Sequence, residues 1–151
     1  MSSNKPHAWN PPGVPQPPAT YDQVCVTPLL PAAKLITLAG QTGRNLESLT
    51  SISSDFATQV RGAYKRVLDC LKATGATPRD IVHVKHYIVT HTGQKELDGK
   101  DIVDRGWGDL WCEFMDKEGE GHRPPDTVVG VASLAKGGYL YEVEVMAVVN
   151  E

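Results

Sequence analysis

A chain of 151 residues with 40% hydrophobic content can bury one core and leaves too little for a second. Its 15 Lys and Arg against 18 Asp and Glu give a formal net charge of -3, and no window gathers the bases into a stripe able to track a phosphate backbone, which argues against a nucleic-acid partner. No run of about 18 apolar residues and no basic, apolar leader is present, so the expectation is a soluble cytoplasmic protein with no membrane partner.

The opening "KPHAWNPPGVPQPPATY" holds six prolines between Lys5 and Tyr21. Each fixes φ and removes an amide donor, which rules out a helix or a central strand and predicts an arm over residues 1–20 ahead of a single domain over 21–151. Trp9 within it suggests an arm laid against a surface. "YDQVCV" and "KLITLAGQTG" then read as two strands forming a hairpin, the second ending at the Gly40 and Gly43 punctuation. Gly-Gln-Thr-Gly lacks the GxxxxGK[ST] spacing of a phosphate loop and is read as a strand-ending loop. In "SSDFATQVRGAYKRVLDCLKATGAT", Phe56, Val60, Tyr64, Val67, Leu68 and Leu71 recur at three- and four-residue spacing. Ser54 or Asp55 can cap the start and Gly75 stands at the end, so one amphipathic helix is predicted.

"RDIVHVKHYIV" reads as a strand with Val82, Val84, His86 and Ile88 on one face and Ile81, His83, Lys85, Tyr87 and Val89 on the other. The odd spacing of His83 and His86 sends them to opposite faces, which argues against a shared metal. A second helix is expected within "KELDGKDIVDRGWGDLWCEFMDKEG", its aromatic stripe read as core. "DTVVGVASLA" and "YLYEVEVMAVV" read as a closing hairpin. His122, in a proline-bounded turn, is read as solvated. Cys25, Cys70 and Cys112 stand far apart in apolar patterns outside any CxxC and are read as buried free thiols of a reducing compartment. The element order predicts an α+β sandwich with two helices on one side of a sheet. The other face mixes His83, Lys85, Tyr87 and Glu142 with Leu140 and Met146, a composition that a symmetric oligomer would cover.

"ATYDQVCV", "LITLAGQTG", "VRGAYKRVLDCLKATGATPRDIVHVKHYIV" and "RPPDTVVGVASLAKGGYLYEVEVMAVV" together resemble the Rid family, also called YjgF or liver perchloric-acid-soluble protein family, from Tyr21 to Val149. The resemblance implies a chorismate-mutase-like α+β fold, a homotrimer, and small-molecule pockets in the clefts between subunits. It also implies hydrolysis of reactive imines or enamines to a keto acid and ammonia, with no cofactor and no metal. On the family's positions Tyr21 is a pocket tyrosine, Gly40 and Gln41 a pocket loop, and Glu142 the glutamate that orients or activates water. Asp126, followed by Thr127, falls where the family's deaminases keep an arginine that grips the substrate carboxylate; Val128 replaces a cysteine.

A negative Asp126 repels a carboxylate ligand. Arg123 is therefore a candidate replacement clamp, if the Pro124-Pro125 segment lets it reach, or else an internal partner of Asp126. The expected function is hydrolysis of an imine or enamine with Glu142 as the catalytic carboxylate. The alternatives are a trimer that binds a metabolite without turning it over, and an endoribonuclease-like activity, which the charge balance disfavours.

Overall fold

The computed structural model describes residues 4–44 and 51–150; the first residues of the expected arm and the last of the expected domain lie outside the described residues. The proline-free stretch between Pro6 and Pro11 forms a short strand, β1 (His7–Trp9), antiparallel to β2 (Val24–Val26) in a two-stranded sheet of its own. The arm is tied to the body ahead of β1. Lys5 pairs with the buried carboxylate of Asp80 at 2.6 Å, and Arg79 donates to the Pro6 carbonyl at 2.6 Å. β2 pairs with the arm, and the hairpin expected with the next strand does not form. That strand, β3 (Lys34–Thr37), pairs instead with the last strand, β7 (Tyr141–Val149), and so does the two-residue β4 (Gln41–Thr42).

The first long helix, α1 (Phe56–Ala73), begins where the Asp55 carboxylate accepts from the Thr58 amide, and its chain turns away at Gly75, whose φ of 78° suits glycine. It is followed by β5 (Ile81–Val89), a single helical turn α2 (Lys95–Asp98), the second long helix α3 (Trp107–Glu118) and β6 (Asp126–Val131). The main sheet runs β3-β7-β5-β6, with β4 beside β7. The expected closing hairpin is also absent: β5 lies between β6 and β7. β5 and β6 are parallel, and the crossover that a parallel pair requires is supplied by the segment containing α3.

Both long helices cover one face of this sheet. The core is built there from Val60, Tyr64, Val67 and Leu71 of α1, Trp111 and Met115 of α3, and Val84, Ile88, Val143 and Val145 of the strands. A register shift between Ile81 and His83 turns Ile81 into this core opposite Ala147, so the expected alternation fails at the start of β5. Leu140, expected on the open face, is buried in the core as well, its amide donating to Gln59 Oε1 at 2.9 Å. The face away from the helices presents Lys85, Tyr87, Glu142 and Glu144, with the 37% exposed Val129 beside them and Leu35, 63% exposed, on β3.

Candidate functional site

The register of the strands divides the residues singled out from sequence between two faces. Val84 pairs with Asp126 and His86 with Val128, so these side chains point to the helix side. Tyr87 pairs with Glu142 and Lys85 with both Thr127 and Glu144, so these point to the open side.

On the helix side, at the edge made by β6, a cavity of about 500 Å³ is lined by Thr20, Tyr21, Asp104, Trp107, Asp126 and Val128 among others. That volume suits a small metabolite. The arm closes one wall. Trp111 Nε1 donates to the Thr20 carbonyl at 3.1 Å, Cys112 Sγ to Ala19 at 3.4 Å, and the Asp22 amide to the Arg123 carbonyl at 3.0 Å.

Asp126 forms part of the cavity lining, yet its side chain is only 3% exposed. Its Oδ2 lies 3.5 Å from Nε2 of the fully buried His86, and neither atom has a hydrogen-bond partner among the described residues. The other imidazole nitrogen, Nδ1, is 2.6 Å from the Tyr141 hydroxyl. Tyr141 donates to the Tyr64 hydroxyl at 2.9 Å, and Tyr64 donates to the Trp107 carbonyl at 3.2 Å.

The direction of this chain fixes the tautomer, because a carbonyl can only accept. Tyr64 therefore gives its proton to Trp107 and accepts from Tyr141, which in turn accepts from His86 Nδ1–H. In a neutral ring this leaves Nε2 as an acceptor facing a carboxylate. Burial holds His86 below its ordinary value despite the neighbouring Asp126, which keeps the ring neutral. Burial likewise pushes the Tyr64 and Tyr141 phenols far up, so both stay protonated as the chain needs.

On the open side, Glu142 lies over the Gly40 loop. A Cβ on residue 40 would stand 1.8 Å from Glu142 Oε1, so the carboxylate occupies the space that glycine leaves. Gln41 is turned inward and donates to the Ala39 carbonyl at 2.8 Å. Gly43 serves packing: a Cβ there would stand 2.2 Å from the Gln59 carbonyl of α1. The Gly-Gln-Thr-Gly segment is thus a strand pair with β7 pressed against a helix. Beyond Glu142, Tyr87 donates to Glu144 at 3.3 Å, and Lys85 stands 3.9 Å from the same carboxylate.

Arg123 belongs to neither group. Its guanidinium binds Asp116 at 2.5 Å and the Ala19 carbonyl at 3.0 Å, fastening the arm to α3. The internal bridge to Asp126 weighed above does not form, because Asp126 points beneath the sheet to His86. His122, read as solvated, is buried, with its Nε2 2.7 Å from the Ile81 carbonyl, and burial lowers its pKa. The three cysteines are free, as expected, but half-buried. Trp107, Trp111 and Met115 are core, as expected of the aromatic stripe, and Trp107 also packs on His86 at 4.4 Å between ring centroids and walls the cavity. His86 was the residue that sequence reasoning missed; its sole visible signal was its inward parity on β5.

Residues 14–149 match the family described as Endoribonuclease L-PSP, and the chain belongs to this family, the YjgF or Rid family. Among solved structures, the Rid-family protein YyfB of Yersinia pestis has 20% identity and a TM-score of 0.71 over 95% of this chain and 98% of its own. A YjgF-family member from Mycobacterium tuberculosis has 28% identity and a TM-score of 0.57 over 76% and 79%. TdcF of Escherichia coli, solved with bound serine, has 20% identity and a TM-score of 0.63 over 89% and 97%. A search of curated proteins finds no match. The α+β fold with a mixed sheet is that of these relatives. Among the described residues no helix is long and apolar enough to cross a membrane, and no cluster of three His, Cys, Asp or Glu is placed to hold a metal ion.

Proposed function

We propose that the protein is a homotrimeric hydrolase of a reactive imine or enamine that lacks a carboxylate at the position the family's arginine would hold. The observation that supports this reading is the division of the site. Tyr21, Asp126 and Val128 stand on the helix side, Gly40 and Glu142 on the open side of the same sheet. Half-sites on opposite faces of one chain can meet only between chains. A closed ring of heterologous contacts joins the cavity of one subunit to the Glu142 face of the next. The exposed Val129 and Leu35 on the open face supply apolar area for that contact.

In the assembled cleft Glu142 takes a proton from water, and the hydroxide attacks the imine carbon. Glu142 returns that proton to the nitrogen, and the hydroxyl proton of the resulting carbinolamine then passes by way of Glu142 to the departing nitrogen as the C–N bond breaks, giving a carbonyl product and ammonia. The serine held by TdcF supports the reading of this fold as a small-molecule binder. Asp126 accounts for the altered range, since a buried carboxylate disfavours an anionic ligand.

Ammonia release from 2-iminopropionate and from a size-matched imine without the carboxylate tests the reading. The parent should hydrolyse the second in preference to the first, and Glu142→Gln should lower that rate about 100-fold. A parent silent on every imine, a Glu142→Gln variant at parental rate, or a monomer in sedimentation at micromolar concentration would overturn it.

A further inference from the structure

The cavity beside β6 has a one-sided chemistry. Among the described residues of its lining two are carboxylic acids, Asp104 and Asp126, two are aromatic, Tyr21 and Trp107, and none is Lys or Arg. Arg105, next to Asp104 in sequence, is spent on the carbonyls of Val89 and Thr90, and Arg123, the arginine nearest Asp126, on Asp116 and Ala19. Asp126 is the telling residue. A carboxylate oxygen buried without a donor is costly, and native structures leave few such atoms. Its neighbour cannot supply the proton: the chain from Trp107 through Tyr64 and Tyr141 draws the His86 N–H to Nδ1 and turns the bare Nε2 toward Asp126. Oδ2 itself has almost no exposed surface, so a donor from the cavity reaches Asp126 through the part of its carboxyl group that lines it.

We infer that this cavity binds a ligand carrying a protonated nitrogen with at least one N–H, an ammonium or iminium group, which donates to Asp126 while its body lies against Trp107 and Tyr21. A charge-assisted hydrogen bond to a desolvated carboxylate is among the stronger polar contacts, and an aromatic face beside the cation adds to it. Asp104, exposed at the mouth, contributes a long-range attraction that salt screens. His86 acts as a positioning residue: it keeps a donor away from Asp126, so that the carboxylate stays open for the ligand.

The inference names the ligand class for the half-site used in the proposal above and rests on that cavity alone, without requiring turnover. The test is an NMR titration of the full chain, following the Trp107 indole N–H, with benzylammonium, benzyl alcohol and benzoate as probes of matched size. Benzylammonium should bind at least about ten-fold more tightly than benzyl alcohol, with benzoate weakest. The Asp126→Asn variant should erase that preference, and Asp104→Asn should reduce it only a few-fold at low salt. Equal affinities for the three probes in the parent protein, which needs no variant to fold, would overturn the inference, as would an ammonium preference that survives in Asp126→Asn. Ammonium binding without hydrolysis of any imine would leave this inference standing and remove the hydrolase reading; hydrolysis of a neutral imine without ammonium preference would do the reverse.

Discussion

The two faces of the main sheet carry carboxylates of the same kind under opposite physical rules. Beneath the helices, Asp126 is almost wholly withdrawn from water and its Oδ2 has no donor among the described residues, while both phenol hydroxyls in the chain behind it are committed. On the open face, Glu144 is 37% exposed and shares Tyr87 and Lys85 as loose partners at 3.3 and 3.9 Å. The difference teaches where specificity is stored. A polar group in a dry setting dictates what can approach, whereas one in water can be answered by solvent.

The contrast should be widest in packing. Trp111→Ala beneath the helices should cost about 3 to 5 kcal/mol in urea unfolding, against less than about 0.5 kcal/mol for Val129→Ala on the open face of an isolated subunit. Comparable losses at the two positions would break the comparison. Removing one phenol oxygen from each face sharpens it. Tyr141→Phe strands the His86 Nδ1–H in the core and should cost about 1 to 3 kcal/mol, while Tyr87→Phe should be nearly neutral.

The buried histidines give the helix side a pH dependence. His86 and His122 are both held by burial below their ordinary value of 6.5, so the unfolded chain binds protons that the folded one refuses. The stability linked to them is complete above pH 6.5 and is lost as pH falls from there toward the depressed folded values. The melting temperature should therefore fall between pH 7 and pH 5, and a flat profile across that window would contradict the neutral buried rings. The smallest effect belongs to the exposed pair: Lys85→Ala should change stability by less than about 0.5 kcal/mol at any salt concentration.

Local order was legible in the sequence and long-range order was not. The helix over Phe56–Ala73 announced itself through unbroken three- and four-residue spacing with Asp55 at its head, because a helix satisfies its own backbone. Both expected hairpins failed because a strand's partner is decided elsewhere: β2 was taken by the arm, and β5 was inserted between β6 and β7. The opposite facing of His83 and His86 followed from strand parity and holds, while the register shift at Ile81 left no mark in the pattern. At the site, resemblance pointed to Asp126 but not to its setting. The His86 that faces it lies 40 positions earlier, and only the parallel register of β5 and β6 brings the two side chains together.

The fastening of the arm by Arg123 has a practical consequence for anyone preparing this protein. Trimming a proline-rich leader at residue 20 is a routine step before crystallisation, and here it would remove Ala19 and Thr20, on which Arg123 and Trp111 close. The shortened chain would also lose β1 and the Lys5–Asp80 pair, and one side of the cavity would stand open. The ammonium titration proposed above therefore needs the arm in place, because the wall that Thr20 and Tyr21 supply is held by it.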